Sequence, residues 1–573
     1  METMTQARLL SEVALGNIAP DVLITNGTLF SAYTREFIPR QSVWVKDRFI
    51  AYVGPDHDPC RDSHTRVIDV DGKVLLPGLI DGHTHFAASR SGMEEFVKHI
   101  IPTGTTTVVT ETIELVIAGK EGLESLIKGF EDQPIRLYYT LPPLCGLTQA
   151  EEVHAPPNQE LLPFLKDPKC LGIGEIYWSN LFLEGRQSER LEELVSSGLA
   201  AGKRVEGHTA GASGRKLQAY SCFGISSCHE PITEAEILER LRLGYWVMIR
   251  EGSIRKELHG VQGIFAREID FRRVILSTDG VNSSEMLKAG YLDASLRTAL
   301  RLGVPPDLAY QMVTLNVAEH FHLDHLLGSL SPGRMADIVL IPAAGDFSPE
   351  WVMVGGEIIF QNGKSLVEPR RFSFPDSMFH TVRMPGYSIP SPPNRGKVRV
   401  IELVTELVTK EGTVDLQDPQ ASQHIVWVVA LERLRDGKAF SGLLKGFGLK
   451  RGEVGSTMCW DTGDLLVIGC DATSIETAVG RLKEIGGGAV YTDGKDVVAE
   501  FPAPLCGAVS LKPMETVDEQ IKNLEAVLKR NGVKFEKPLL TLDTLTSPAI
   551  PHMRITHNGY VRVKDRKILS CAI

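Results

Sequence analysis

Cysteine is sparse in this 573-residue chain: there are nine, and none stands in a CxxC pair. That is too few for a disulfide framework in a chain this long, so the cysteines read mainly as small buried hydrophobes. No PCxxC motif occurs either, which argues against a zinc deaminase that edits nucleic-acid bases. No apolar run approaches the roughly 18 residues of a membrane-spanning helix. The opening METMTQARLLSEVALGNIAP has no long apolar signal core, so the expected compartment is the cytoplasm. Basic charge is not in excess: 61 Lys and Arg face 72 Asp and Glu, a net charge of -11 spread along the chain. Nucleic acid and anionic membranes are therefore not expected partners. Gly486–Gly488 lacks the GxxxxGK[ST] frame of a phosphate loop and reads as a turn.

What is present suits a soluble globular protein. Hydrophobic residues make up 43% and charged residues 23%, enough for a substantial core in roughly three to four domains or one large barrel with additions. Residues 1–20 carry helical spacing through Leu9, Leu10, Val13 and Leu15, with a break at Pro20. The strand-like segments DVLITNGTLF, SVWVKDRFIAYVG and TRVIDVDGKVLLPG follow, parted by Asn-Gly, Lys-Asp and Asp-Gly turns. Similar strands return at ADIVLI and WVMVGGEIIFQNGK. The expectation is a small β-sandwich built from both flanks, residues 1–74 (with the N-terminal helix) and 331–370, around an inserted central region.

Residues 75–330 alternate strand and helix patterns, among them TTTVVTE then EGLESLIKGFE, and CLGIGEIY then ERLEELVSSGLAAG. That alternation over about 250 residues predicts a (β/α)8 barrel, so the fold class is α/β. Residues 371–395 carry several prolines and read as a linker. Residues 396–573 mix strands such as HIVWVVALERL with the helical patterns SIETAVGRLKEIG and TVDEQIKNLEAVLKRNG, giving an α+β C-terminal domain.

Reactive groups in such barrels stand at the C-terminal ends of the strands. In LLPGLIDGHTH, strand alternation puts His83 and His85 on one face, about 7 Å apart along the chain. CLGIGE ends in Glu175, KRVEGH in His208, ISSCHE in His229 and Glu230, and VILSTDG in Asp279. Imidazole and carboxylate donors without thiolates suit a catalytic site for Zn, Mn or Fe(II).

These motifs resemble the amidohydrolase superfamily and, more narrowly, the adenine deaminases. The resemblance runs nearly end to end through PGLIDGHTH, GTTTVV, GEI, VEGH, GISSCHE, LRLGYWVMIREGS, NVAEHF, GLKRGEVGST, GGGAV and PLCGAVS. It implies two divalent ions, Mn or Fe(II) before Zn. One would be held by His83, His85 and Asp279, the other by His208 and His229, with Glu175 bridging them. It implies Asp279 as the proton carrier, Glu230 as a hydrogen-bonding partner of the substrate, and substrate contacts from Glu111, Glu114, Trp460 and Asp461. The implied reaction is hydrolysis of an aminopurine or related heterocycle with release of ammonia, in a homo-oligomer (a dimer or higher). Opening of a cyclic amide or lactam on the same metal site is the alternative.

The departures from the family pattern are specific. Ala87 stands for a glutamate, Ile113 for a histidine, Gly280 for an aspartate, and Trp460 and Gly463 for histidines. These losses predict a ring other than adenine or a weaker activity. A non-catalytic relative is disfavoured because every implied ligand position is kept.

Overall fold

The computed structural model describes residues 2–55, 62–113, 116–144, 146–148, 150–550 and 552–573. Its centre is a closed ring of eight parallel strands, labelled here β1 (Leu79–Thr84), β2 (Thr105–Thr110), β3 (Arg136–Leu141), β4 (Cys170–Tyr177), β5 (Arg204–His208), β6 (Ser227–Cys228), β7 (Trp246–Arg250) and β8 (Val274–Ser277). Consecutive pairing is parallel from β1 to β5 and again from β6 to β8. The two arcs are joined by side-chain and loop bonds: the Gly207 amide donates to Ser227 Oγ at 3.1 Å, and the Asp279 amide to the His83 carbonyl at 3.0 Å.

Strands covered on both faces should be apolar or β-branched throughout. The six residues of β2, TTTVVT, and the four of β8, VILS, are all buried. The helices outside the ring bury one stripe each. In Arg186–Ala200 that stripe is Leu191, Leu194, Val195 and Gly198, the spacing of one helical face. Helix Glu234–Arg242 starts on a reciprocal cap between Thr233 and Glu236, the arrangement that satisfies its first free amides.

Strands from both flanks of the barrel join in one nine-stranded sheet. Val74–Pro77 is its hinge, parallel to Val22–Ser31 on one side and antiparallel to Ile338–Ile341 on the other. The sheet curls over a core of Ile24, Val43, Val45, Ile50, Leu75, Ile338, Trp351 and Met353. It delivers the chain directly into β1. The N-terminal helix stops at Ala14, short of Pro20, and buries Leu10 and Val13 while Leu15 lies exposed. Residues 371–395 contain no strand and a single short turn of 3-10 helix, Asp376–Phe379, although Met378 and Met384 are fully buried.

The C-terminal region is built on an eight-stranded sheet with a helix on each face, and a helix, Pro538–Thr544, and a small three-stranded sheet, residues 553–569, follow. Ala472–Glu484 packs Ile475, Ala478, Val479 and Leu482 against Val467 and Val490. Met514–Arg530 packs Val517, Leu524 and Leu528 against the opposite side. Gly486–Gly488 makes the turn after the first helix, all three at positive φ, and a β-carbon on Gly488 would run into the Phe501 carbonyl. Among the described residues no helix is long and apolar enough to cross a membrane.

This region is seated over the barrel mouth. Arg90 pairs with Asp543 at 2.7 Å, the Ser510 amide donates to the Arg90 carbonyl at 2.9 Å, and Glu151 accepts from Thr556 Oγ1 at 2.9 Å and Asn558 Nδ2 at 2.7 Å. Nearby, His557 Nδ1 lies 2.9 Å from Asp464 Oδ1, and both side chains are buried. Burial alone would push this imidazole down, but the Asp464 charge and hydrogen bond raise it above the usual value. A raised histidine gives its full stabilisation below the unfolded pKa of about 6.5 and loses it as pH rises through the folded value. His557→Gln is therefore expected to cost about 1–3 kcal/mol at about pH 6 and clearly less at about pH 9. Unfolding midpoints at the two pH values check this, and an equal loss at both would refute it.

Candidate metal and active site

The ends of β1, β4, β5, β6 and β8 bring six donors to one point. His83 and His85 leave β1 on the same side, their rings 5.6 Å apart and nearly perpendicular. His83 stacks on His229 at 4.2 Å. Glu175 stands between two sets of imidazoles. Its Oε1 lies 3.0 Å from His85 Nε2 and 3.4 Å from His83 Nε2. Its Oε2 lies 2.8 Å from His208 Nδ1 and 3.4 Å from His229 Nε2. Asp279 joins the first set, with Oδ1 3.2 Å from His83 Nε2 and 3.8 Å from His85 Nε2.

These distances test whether the residues fit divalent ions. Ligand atoms that share one ion at bond lengths of 2.0–2.2 Å sit about 3–3.5 Å from each other. The two groups, His83, His85, Glu175 and Asp279 on one side and Glu175, His208 and His229 on the other, each offer donor atoms within 4.8 Å of one another. Glu175 belongs to both through different oxygens. The donor set is imidazole and carboxylate, as the sequence implied. The residues fit.

The electrostatics agree. Burial would raise the carboxyl of Glu175, yet the His229 charge and hydrogen bonds from His208, His229 and His83 hold it well below its usual range. Asp279 is likewise lowered against its burial by His83 and Arg250. Burial would lower His83, and its bonds to Asp279 and Glu175 raise it well above the usual value. Two ionised carboxylates this deep require positive charge beside them. A cation held among these donors would supply it.

The frame behind the site is also polar and closed. Asp81, on β1, accepts from Thr278 Oγ1 at 2.6 Å and from the amides of Thr278 and His83 at 3.3 and 3.4 Å. It ties the ends of β1 and β8 together, and burial pushes its pKa up to about 6.

A cavity of about 630 Å³ opens from these donors and is walled by both the barrel and the C-terminal region. Trp460 and Asp461 line it, as does Glu230. Both oxygens of Asp461 are engaged, Oδ1 by the Tyr177 hydroxyl at 2.7 Å and Oδ2 by Ser547 Oγ at 2.6 Å. Glu111 is brought to the centre but on the far side: its Oε1 is 3.8 Å from His83 Nδ1, and it is not part of the cavity wall. Glu114 lies outside the described residues. Of the five departures from the family pattern, Ile113, Trp460 and Gly463 line the cavity. Ala87 is fully buried in the barrel core, and Gly280, at φ +100°, backs onto Ala88.

Two residues at strand ends escaped the sequence reading. Tyr177 closes β4, and its ring meets that of His208 at 4.8 Å. Arg250 closes β7, is 4% exposed, and reaches Glu230, Asp279 and Glu257. Both stand where the strand-end rule points; a search for metal donors alone passes over them.

Comparison with known proteins agrees with this architecture. Residues 74–359 match the amidohydrolase family and residues 402–567 the adenine deaminase C-terminal domain. The adenine deaminase of Cenarchaeum symbiosum is 31% identical over 578 residues, spanning 98% of this chain and 94% of its own length. That of Archaeoglobus fulgidus is 32% identical over 568 residues, 98% of this chain and 97% of its own length. That of Clostridium botulinum strain Loch Maree is 31% identical over 579 residues, 97% and 96%. With the metal-binding cluster at the barrel mouth and similarity sustained through both regions, the chain belongs to the adenine deaminase family of metal-dependent amidohydrolases.

Proposed function

We propose that this protein hydrolyses the exocyclic amine of an aminopurine or related heterocycle and releases ammonia. Two divalent ions, Mn or Fe(II) before Zn, would be held by His83, His85 and Asp279 and by His208 and His229, with Glu175 shared. The observation that carries this reading is the division of Glu175, one oxygen toward each histidine pair. When bound, such ions make hydroxide available near neutral pH and polarise the carbon it attacks.

The chain's own residues then have distinct tasks. Asp279 is ionised and offers Oδ1 at the centre, so it takes the proton of the attacking water and passes it to the leaving nitrogen. Water adds its oxygen to the ring carbon, the carbon–nitrogen bond breaks, and ammonia departs with the proton from Asp279. Glu230, 3.4 Å from His229 Nε2 and facing the cavity, accepts a hydrogen bond from the ring. The Tyr177–Asp461 bond holds the Trp460 loop down over the barrel and keeps bulk water from the reacting atoms.

Elemental analysis of the gently purified protein is expected to find about two divalent ions per chain. Glu175→Gln removes the shared negative charge, so it should lower the bound metal and reduce turnover by at least about 100-fold. A variant with full metal content and kcat within a few fold of the wild type would defeat the bridging role.

The cavity wall decides the substrate. Ile113 and Gly463 offer no hydrogen bond where the family pattern has imidazoles, and Trp460 offers one donor on a large apolar face. Losing two buried hydrogen bonds to the ring costs roughly 2–6 kcal/mol of transition-state stabilisation, about 30-fold to more than 10,000-fold in rate. Adenine is thus expected to be turned over poorly, and a heterocycle needing fewer polar contacts better. The check is a panel of aminopurines, pterins, cyclic amides and lactams with the Mn-loaded enzyme, following ammonia and product mass. Ordinary enzymatic rates on adenine would reject the shifted substrate, and a gain of one water without ammonia would replace deamination by ring opening.

A further inference from the structure

Arg250 ends β7, and the chain folds back on it within one short loop. The Glu257 amide donates to the Arg250 carbonyl at 3.0 Å, and the Ser253 amide to the Gly280 carbonyl at 2.9 Å. The loop lies so close to β8 that a β-carbon on Gly252 would run into the carbonyls of Thr278 and Gly280. Arg250 and Glu257 therefore have little freedom, and both are buried, at 4% and 7% exposure.

Their contact is two-pointed. Arg250 Nη2 donates to Glu257 Oε1 at 2.7 Å and Nε donates to Oε2 at 3.3 Å. A fork of this kind fixes the plane of the guanidinium, which a single ion pair does not. The nitrogen left over, Nη1, then points into the site. It donates to Glu230 Oε1 and, at 3.2 Å, to Asp279 Oδ2. That oxygen is the one Asp279 does not turn toward His83. One nitrogen therefore holds the two cavity carboxylates in fixed relation. Arg250 lines the cavity and Glu257 is not part of its wall.

We propose that Glu257 is a positioning residue for the reaction: from outside the cavity it clamps Arg250 so that Nη1 holds the outer oxygen of Asp279 and the carboxylate of Glu230 together. The proposal rests on the reading of the site given under the proposed function. It assigns no proton transfer to Glu257. It requires only that Asp279 and Glu230 meet the substrate in register, a requirement that an unclamped guanidinium, free to turn about its Cδ–Nε bond, does not meet.

The test is a mutant cycle on the metal-loaded protein, with the best substrate of the panel. Glu257→Gln should lower kcat by about 10- to 100-fold, as loss of an outer hydrogen-bonding partner does, with KM within a few fold and bound metal and unfolding midpoint unchanged. Arg250→Lys keeps the charge but cannot fork, and should lose about as much. In the Arg250→Lys background, Glu257→Gln should have no further effect, because two residues that act through one contact are not additive. Additive losses would overturn the proposal, as would a Glu257→Gln enzyme with unchanged kcat or one whose loss of turnover is matched by loss of metal or folding. If the wild type turns over nothing on the panel, the functional reading fails by itself. The crystal structure of Glu257→Gln then decides the clamp: an Arg250 guanidinium still bonded to both Glu230 and Asp279 would refute it.

Discussion

Everything at the barrel mouth follows from two buried negative charges. Glu175 and Asp279 are 5% and 4% exposed, and taking an ionised carboxylate out of water costs several kcal/mol unless opposite charge and hydrogen bonds stand beside it. Four imidazoles, one guanidinium and, on our reading, two metal ions supply them. This constraint explains why the donors come from five different strands: no single segment can surround a carboxylate, but the converging ends of a closed parallel ring can. It also explains the polar frame beneath. Asp81 accepts three bonds and so fixes the ends of β1 and β8, the strands that carry His83 and lead to Asp279. Slack between them would separate donors that, on our reading, share one ion.

A second consequence concerns the C-terminal region. An open barrel mouth would leave this charge cluster to water, which weakens each interaction in it. The C-terminal region covers the mouth, and its loop 457–463 forms part of the cavity wall. The Tyr177–Asp461 bond couples that cover to the strand carrying Glu175, two residues away on β4. Arg90 and Asp543 make a further tie from the first βα loop of the barrel. The C-terminal region is therefore part of the site as well as a neighbour of it.

How much of this could be read from the sequence depends on the range of the interaction. The barrel strands announce themselves locally, as short β-branched runs such as TTTVVT and VILS between amphipathic helices, and the strand-end rule then gathers His83, His85, Glu175, His208, His229 and Asp279 without any coordinates. Which side of the cluster a residue faces is not local. Glu111 and Glu230 both follow strand ends, yet barrel curvature puts Glu111 behind His83 and Glu230 in front of His229. Arg250 carries no metal donor, so a ligand pattern alone does not single it out within VMIREGS. The residues supplied by the C-terminal region depend on docking between segments hundreds of residues apart, and no periodicity in CWDTGD or in TSPAI reports which barrel loop they will meet.

The replaced positions, finally, are not independent losses. Gly463 has φ +66°, and a β-carbon added there would overlap Ile117 Cδ1, so the room an imidazole would need is already filled by an isoleucine from the barrel loop that also carries Ile113. Gly280 is the same case on the other side of the site: at φ +100° its added β-carbon would lie 2.8 Å from Ala88 Cβ, and Ala88 itself lines the cavity. In each pair a small residue in left-handed backbone lies against an apolar partner that occupies the space. A polar side chain restored at one position alone would meet that partner before it met a substrate. Each pair is thus a local packing unit of matched residues, one at the Gly463 wall of the cavity and one behind Asp279.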